Sequence, residues 1–203
     1  MDDRVVIALF RHGLTEENKR RGYLGWTDSP LCPETQHLTT DRRYDCYFSS
    51  DLYRCIRTGK LLFPGAVPEL LADFREMNFG KWERKTYEEL KDDPLYRQWL
   101  ADPLQHRPPD GESFQQFAGR VAKGWGKVRQ KILDSHLHSS AIITHGGVIK
   151  HLLAAYAPEP RAFSSWQIPH GRGYELIFDR EALRRNERCT LLQEVPLTEN
   201  GHG

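Results

Sequence analysis

The stretch VVIALF at residues 5–10 passes directly into RHG at residues 11–13. An unbroken apolar run that is rich in β-branched residues predicts a strand covered on both faces, as in the middle of a parallel sheet. Arg11 and His12 then stand where this strand ends. Because ligands of open α/β sheets bind beyond the carboxyl ends of the strands, we expect a functional site here.

Two further apolar segments also end in polar residues. Residues 44–48 lead into Ser-Ser-Asp at 49–51, and residues 141–144 lead into His145-Gly-Gly. Each of these predicted strands is followed by a predicted helix. Strands that alternate with helices predict an α/β protein, a three-layer α/β/α sandwich with a mostly parallel central sheet. The strand ends of such a sheet would bring these polar segments together.

Capping residues and apolar spacing predict the helices. One helix begins after Ser50 or Asp51 as its N-cap and reaches about Phe63, and another spans Val148–Tyr156.

The longest helix should run from Glu112 to about Leu133. Its apolar residues recur three or four positions apart, which places them on one helical face. Ser113 and Gln116 form a capping box at its start. Each glycine within it weakens the helix by roughly 1 kcal/mol relative to alanine. These glycines are Gly119, Gly124 and Gly126.

We predict a single domain over residues 1–203, a length that can bury a substantial core. The segment 81–111 differs from the rest in its charge, proline and aromatic content, and we predict that it is a flap inserted over the site. Residues 163–195 are expected to form short strands around a turn at His170–Gly173. The polar tail after Pro196 is expected to be loose.

Charge and cysteine content exclude several classes of protein. The net charge of +1 gives no overall basic surface for nucleic acid or membranes, so an anionic substrate needs a local cluster of arginines. The apolar run at 5–10 is too short for a signal peptide, and no stretch is long enough to span a bilayer. The four scattered cysteines predict buried thiols and a cytoplasmic protein. The oligomeric state is not readable from the sequence.

The residues at the strand ends suit phosphoryl transfer, which needs a nucleophile, cations around the phosphate oxygens and an acid for the leaving group. A neutral imidazole such as that of His12 can be the nucleophile. An arginine about 5 Å away, at an effective dielectric near 20, favours the neutral form by roughly 3 kcal/mol, or about two pKa units.

Two other residues would complete a phosphate pocket. Arg54 falls in the first turn of its predicted helix, where the helix dipole also favours an anion. His145 precedes two glycines that let the backbone approach a phosphate oxygen closely. Taken singly, each residue also fits an ordinary role, as a surface arginine or a helix-capping histidine.

Taken in order, these segments resemble the histidine phosphatase superfamily, which is also called phosphoglycerate mutase-like. The resemblance extends from Val5 to about Tyr156, and more weakly to Glu194. The segments that support it are RHG at 11–13, Asn18, GWTD at 25–28, the Arg54 helix, EMNFGKWE at 76–83 and HGG at 145–147.

The resemblance implies a phosphoglycerate mutase-like fold, with His12 as the phosphorylated nucleophile and Glu76 as the proton donor. Glu83 is a rival acid, but it is expected to brace its loop. The resemblance also implies a phosphate pocket whose residues are Arg11, Arg54 and His145, with Asn18, Gly25 and the Gly146 amide beside them. Leu14 and Arg84 depart from the family pattern, which usually has an acidic residue and a glycine there.

The segments YRQWLADP at 96–103 and PPDGES at 108–113 are similar to the bacterial phosphatase branch of the family. That branch includes α-ribazole phosphatases and broad-specificity phosphatases. A pocket for the leaving group could then be lined by Trp82, Tyr96, Trp99, His106 and Arg107. The alternative is that these residues form a small core inside the flap.

Hydrolysis is favoured over the transfer catalysed by a cofactor-dependent phosphoglycerate mutase. A mutase must hold a bisphosphorylated ligand with extra cations, and the segment between Trp82 and Ser113 has no paired arginines. A non-catalytic phospho-ligand binding protein is a second alternative, although the nucleophile, acid and cations are all present. A metal hydrolase is a third, but the tightest histidine pair, His136 and His138, lies on a polar turn. We therefore predict no metal, no cofactor and a small phosphorylated metabolite as partner.

Overall fold

The computed structural model describes residues 3–199, and its centre is a six-stranded sheet. The strands are β1 (Arg4–Arg11), β2 (Leu38–Thr39), β3 (Cys46–Ser49), β4 (Glu69–Leu70), β5 (Ser139–Thr144), β6 (Arg172–Asp179), β7 (Leu191–Pro196) and β8 (Thr198–Glu199). The order in the sheet is β4-β3-β5-β1-β6-β7, and β2 pairs separately with β8.

Seven α-helices connect or follow the strands in the described part of the chain. They are α1 (Glu16–Arg20), α2 (Tyr53–Leu62), α3 (Tyr87–Leu90), α4 (Pro94–Ala101), α5 (Phe114–Asp134), α6 (Gly146–Tyr156) and α7 (Arg180–Arg184). Short 3₁₀ segments occur at Pro33–His37, Ala72–Phe74, Gly80–Trp82 and Phe163–Ser165.

Strand β1 lies in the middle of the sheet, as its apolar run predicted. It pairs in parallel with β5 and antiparallel with β6. The pairs β3–β5 and β3–β4 are also parallel, and β7 is antiparallel to β6. Within the six-stranded sheet only β6 runs against the others, so the prediction of a mostly parallel sheet is confirmed.

The two faces of β1 belong to two separate cores. Ile7 and Leu9 pack in one cluster with residues of α5 and α6, whereas Ala8 and Phe10 pack in another with residues of α2. Helices therefore cover both faces, and the three-layer α/β/α sandwich is confirmed. Full burial of side chains such as Phe10 contributes about 1.5–3 kcal/mol each.

Helix α5 matches its prediction closely. Ser113 is its N-cap, and the reciprocal hydrogen bonds of a capping box join Ser113 to Gln116. The glycines differ from one another in their surroundings. A Cβ at Gly124 would lie 2.8 Å from the Cβ of Asp73, whereas a Cβ at Gly126 would meet nothing within 4 Å.

The predicted N-cap of α2 is wrong. Leu52 occupies the cap position and makes no side-chain cap bond. The carboxylate of Asp28, 25 residues upstream, accepts the N–H of Tyr53 at 2.6 Å instead. Asp51 is engaged elsewhere, because its carboxylate accepts the Nε–H of Arg75 at 2.7 Å.

The segment 81–111 contains α3 and α4 and has its own small core. Trp82, Leu90 and Tyr96 are buried together, with Tyr23 and Trp99 packed against them. The alternative of a small core inside the segment is therefore what the structure shows for Trp82 and Tyr96. That this segment is a flap, and that residues 1–203 are one domain, stay predictions.

The C-terminal region is more regular than expected. Strand β6 is eight residues long and pairs with β1 along nearly its whole length. The tail was expected to be loose, but Thr198–Glu199 pairs with Leu38–Thr39, because backbone hydrogen bonds need no apolar side chains. Residues 200–203 lie outside the described residues.

Two of the sequence predictions concern membrane-spanning segments and the cysteine thiols. Between residues 3 and 199, no helix combines the length and the apolar character that crossing a membrane would require. The four cysteines are free thiols, of which Cys32, Cys55 and Cys189 are buried and Cys46 is half-buried.

Candidate active site

His12 follows the last residue of β1 and is 3% exposed. Its backbone N–H donates to the Thr144 carbonyl at 2.9 Å, which continues the pairing of β1 with β5. Its ring Nδ1 lies 2.8 Å from the Gly13 carbonyl oxygen. A carbonyl can only accept, so the proton of a neutral ring is on Nδ1 and Nε2 has the free electron pair.

The surroundings of His12 keep its ring neutral. Burial lowers the pKa of His12 well below its usual value, and the charges of Arg54 and Arg11 lower it further. The sequence predicted the effect of the arginines, but burial is the larger cause. A neutral imidazole with a free electron pair is the form that can attack phosphorus.

His145 lies beside His12, with the two ring centroids 5.1 Å apart. It precedes α6 in an extended conformation, and its Nε2 lies 2.9 Å from the Ser50 hydroxyl. Burial lowers the pKa of His145 well below its usual value, and the charge of Arg54 adds to this. The ends of β1, β3 and β5 therefore meet at one place, as the sequence predicted.

Arg54 is completely buried on α2. Its guanidinium donates to the Gly25 carbonyl at 2.6 Å and the Thr27 carbonyl at 2.9 Å, and it pairs with the Asp28 carboxylate at 3.1 Å. Its Nε has no hydrogen-bond partner among the described residues. Gly25 thus contacts Arg54 through its backbone oxygen.

Arg11 places a second guanidinium next to the start of α6. One of its terminal nitrogens donates to the Ile168 carbonyl, and its buried Nε has no partner in the described part of the chain. A Cβ at Gly146 would lie 3.3 Å from the guanidinium carbon of Arg11. Glycine at this position therefore allows the cation and the helix N-terminus to approach the same space.

Glu76 reaches the same helix end from the loop after the 3₁₀ segment at 72–74. Its carboxylate accepts the N–H of Gly147 at 2.8 Å and the N–H of Met77 at 2.9 Å. A Cβ at Gly147 would lie 2.2 Å from a Glu76 oxygen. The close packing of this carboxylate on the backbone thus requires glycine at 147.

Glu83 holds the loop that contacts Arg54. Its carboxylate accepts the N–H groups of Gly25 at 3.0 Å, Trp26 at 2.9 Å and Phe79 at 3.0 Å. This is the bracing arrangement expected from the sequence. Asn18 lies on α1, where its side-chain oxygen accepts the Thr15 hydroxyl at 2.9 Å.

A cavity of about 470 Å³ opens beside these groups. Arg11, Glu76, Gly146 and Gly147 line one end, and the rest of the wall is mostly apolar and aromatic. The aromatic residues on the wall are Tyr23, Phe79, Trp99, Phe114, Phe117 and Phe163.

The residues predicted to line the leaving-group pocket therefore separate into three groups. Trp99 is on the cavity wall. Trp82 and Tyr96 face inward, because they are 1% and 0% exposed in the core of the 81–111 segment. His106 and Arg107 are exposed at the surface and are not part of the cavity wall.

Sequence reasoning missed His170. Its Nδ1 lies 3.2 Å from the backbone oxygen of His12, and the two rings are 5.5 Å apart. Burial and the charge of Arg11 lower the pKa of His170 to about 4. Because β6 is antiparallel to β1, the turn before β6 lies at the end of β1. The available signal was a histidine in a glycine-rich turn before a predicted strand.

The histidine pair His136 and His138 lies apart from any group of possible metal ligands in the described chain. Between residues 3 and 199, no three or more histidine, cysteine, aspartate or glutamate side chains are grouped to hold a metal ion. The Nδ1 of His138 lies 3.3 Å from the Arg180 guanidinium instead.

The chain belongs to the histidine phosphatase superfamily (branch 1), whose sequence profile matches residues 7–190. It is a histidine phosphatase, a phosphoric monoester hydrolase.

Comparison with individual proteins agrees with this assignment. The adenosylcobalamin/alpha-ribazole phosphatase of Salmonella typhimurium is 32% identical over 169 residues, which cover 78% of this chain and 82% of that protein. The alpha-ribazole phosphatase of Shigella flexneri has the same fold, with a TM-score of 0.78, 23% identity and 98% of each chain covered. A phosphoglycerate mutase of Thermus thermophilus has a TM-score of 0.66 at 30% identity, with 94% of this chain and 99% of that chain covered.

Proposed function

We propose that this phosphatase hydrolyses phosphate monoesters of small metabolites through a phosphohistidine on Nε2 of His12. The observation that most directly supports this is the contact of His12 Nδ1 with the Gly13 carbonyl at 2.8 Å, which leaves the Nε2 electron pair free. Burial and the two arginines keep the ring neutral.

In the first step, His12 Nε2 attacks phosphorus and the bond from phosphorus to the ester oxygen breaks. Glu76 donates a proton to the departing oxygen, so the leaving group departs as an alcohol. Arg11, Arg54 and His145 surround the transferring phosphoryl group and stabilise its charge. The N–H of Gly146, at the start of α6, would donate to the same oxygens.

In the second step, water attacks the phosphohistidine. The carboxylate of Glu76 accepts a proton from the water, the P–N bond breaks, and inorganic phosphate leaves. The neutral ring of His12 is restored. The mostly apolar wall supports hydrolysis over a mutase reaction, because a bisphosphorylated ligand needs several cations.

The apolar and aromatic wall of the cavity favours esters whose leaving group has an apolar, ring-containing part as substrates. α-Ribazole 5'-phosphate is one candidate, suggested by the relatives' names, and a broad range of esters is the other. Trp99 would contact the leaving group, and the 81–111 segment would be the flap that holds it there. We propose a cytoplasmic, metal-independent enzyme.

The phosphohistidine is tested by acid-sensitive trapping. The protein is mixed with an ester labelled in its phosphate and quenched in base, and protein-bound phosphate is then measured before and after acid treatment. We expect acid-labile, base-stable label in the wild type and none in His12→Ala. His106→Ala, which changes an exposed histidine, should label like the wild type. Equal labelling or equal hydrolysis by His12→Ala would contradict the mechanism.

A further inference from the structure

One charged residue of the cavity wall has no part in the mechanism. Lys150 lies on α6 and lines the cavity together with Arg11 and Glu76. It is half-buried, and its amine lies 5.8 Å from the centre of the Phe163 ring. No carboxylate pairs with Lys150 anywhere in the described chain.

The position of Lys150 on its helix relates it to the phosphate site. It follows Gly146 by four residues and Gly147 by three, and residues at these spacings share one helical face. Gly146 lies against Arg11 and Gly147 against Glu76. The backbone of Lys150 is therefore about one helical turn, a rise of about 6 Å, from the end of α6 where the phosphate would bind.

The remaining wall is almost free of charge. Among the described residues, Lys150 is the only charged residue on the wall apart from Arg11 and Glu76 at the phosphate end, and Gln167 is one of the few other polar residues. An amine that is partly removed from water beside aromatic rings is stabilised by an anion that reaches it. The apolar part of a leaving group would contact the aromatic side chains of the wall. An acidic substituent on it would contact Lys150.

We infer that Lys150 selects phosphate monoesters whose apolar leaving group has a second anionic group, such as a carboxylate. Of the two substrate candidates, this favours the broad range of esters over α-ribazole 5'-phosphate, whose leaving group is uncharged. Lys150 is a specificity-determining residue and takes no part in the chemical steps. This inference rests on the proposed function, because it concerns the leaving group of the same reaction. A charge-assisted hydrogen bond to the substituent should raise kcat/KM roughly 10- to 100-fold, mainly through KM.

The test compares two esters of equal size, 4-(carboxymethyl)phenyl phosphate and its neutral amide, 4-(carbamoylmethyl)phenyl phosphate. For the wild type we expect kcat/KM to favour the carboxylate ester at least about tenfold. In Lys150→Met, which retains an unbranched apolar side chain, this ratio should fall to about one. Lys150→Arg retains the charge and should retain most of the preference. Lys60→Met, an exposed lysine of α2, is the matched control and should leave the ratio unchanged.

The outcomes separate the two proposals. If the wild type hydrolyses both esters equally, or if Lys150→Met retains the preference, the inference about Lys150 is overturned while the phosphatase mechanism stands. If the wild type hydrolyses neither ester, or if hydrolysis of the amide ester is unaffected in His12→Ala, the proposed function fails and the inference fails with it.

Discussion

A single backbone carbonyl determines which nitrogen of His12 can react. The Gly13 oxygen accepts a hydrogen bond from Nδ1–H, so the free electron pair of the ring is on Nε2. His145 and His170 surround the same ring, and both are neutral at pH 7 because burial and nearby cations lower their pKa values. The positive charge of the site therefore comes from its arginines.

Gly147→Ala tests whether Glu76 must sit against α6. The added Cβ would lie 2.2 Å from a Glu76 oxygen, so the flexible carboxylate has to move while the backbone can stay. We expect kcat to fall about 10- to 100-fold, with the free energy of unfolding changed by less than about 1 kcal/mol. Steady-state kinetics and urea unfolding measure the two quantities. Unchanged kcat would show that Glu76 need not occupy this position.

Trp99→Ala tests the cavity wall. Trp99 lines the cavity and packs against Tyr23, with ring centroids 5.7 Å apart. We expect kcat/KM to change about tenfold or more among bulky esters, and much less for a small chromogenic ester that does not reach the wall. Leu100→Ala changes the exposed neighbouring side chain and is the control. Equal losses on all esters would mean that Trp99 acts only through the stability of its segment.

At the scale of elements, the loop at 25–28 links two parts of the site. Asp28 caps α2 and pairs with Arg54, while the carboxylate of Glu83 holds the loop through its N–H groups. The start of α2 is thus fixed by residues that are distant in the sequence. This explains why its N-cap was wrongly predicted: capping rules consider only the adjacent residues.

The glycines of α5 give a matched pair of stability predictions. Gly126→Ala adds a methyl group where nothing lies within 4 Å, and it should raise the free energy of unfolding by about 0.5–1 kcal/mol. Gly124→Ala would bring its Cβ to 2.8 Å from Asp73 and 3.0 Å from the Phe74 ring, and it should lower stability by about 1–3 kcal/mol. Urea unfolding measures both. Equal effects of the two substitutions would contradict the packing argument.

Elements with their own local signal were predicted well. The apolar run of β1 and the capping box of α5 each specify an element without help from distant residues. The inward orientation of Trp82 and Tyr96 could not be predicted, since an aromatic residue in a charged segment fits a pocket wall or a small core equally. Lys150 was missed for a related reason: a lysine on a helix ordinarily faces solvent.

At the scale of the whole molecule, the buried histidines link stability to pH. The pKa values of His12, His145 and His170 are lowered in the folded protein, whereas in the unfolded chain histidine titrates near 6.5. Below pH 6.5 the unfolded state therefore binds more protons. The free energy of unfolding should be highest above that pH and should fall on acidification, by up to about 1.4 kcal/mol per pH unit for each histidine.

Denaturant unfolding between pH 7.5 and pH 5 checks this dependence. The slope of the free energy of unfolding against pH measures how many more protons the unfolded state binds. In His170→Asn this number should be smaller than in the wild type by about one, because the variant lacks one of the three histidines whose pKa is lowered. The pKa of His170 is about 4, so this residue should contribute to the slope between about pH 6.5 and pH 4 and no longer below that range. An identical slope in the two proteins would contradict the neutral state of His170.

The sheet topology explains which site residues could be predicted. Arg11, His12 and His145 stand at the ends of parallel strands, where the rule for α/β sheets places a site. His170 precedes the antiparallel strand β6, and the parallel rule does not include such a position. The direction of β6 depends on its pairing with β1, a contact between strands that are far apart in the sequence.

The same pairing has a consequence for synthesis on the ribosome. Strand β1 emerges before β3 and β5, but its antiparallel neighbour β6 follows all three and begins only at Arg172. A growing chain can assemble β1, β3 and β5 while the other side of β1 remains an open edge, which is a template for wrong pairing with neighbouring chains. His170 precedes β6, so the pairing of β6 with β1 also brings His170 to His12. The nascent enzyme should therefore gain protection from aggregation and a complete catalytic pocket together, once β6 has emerged.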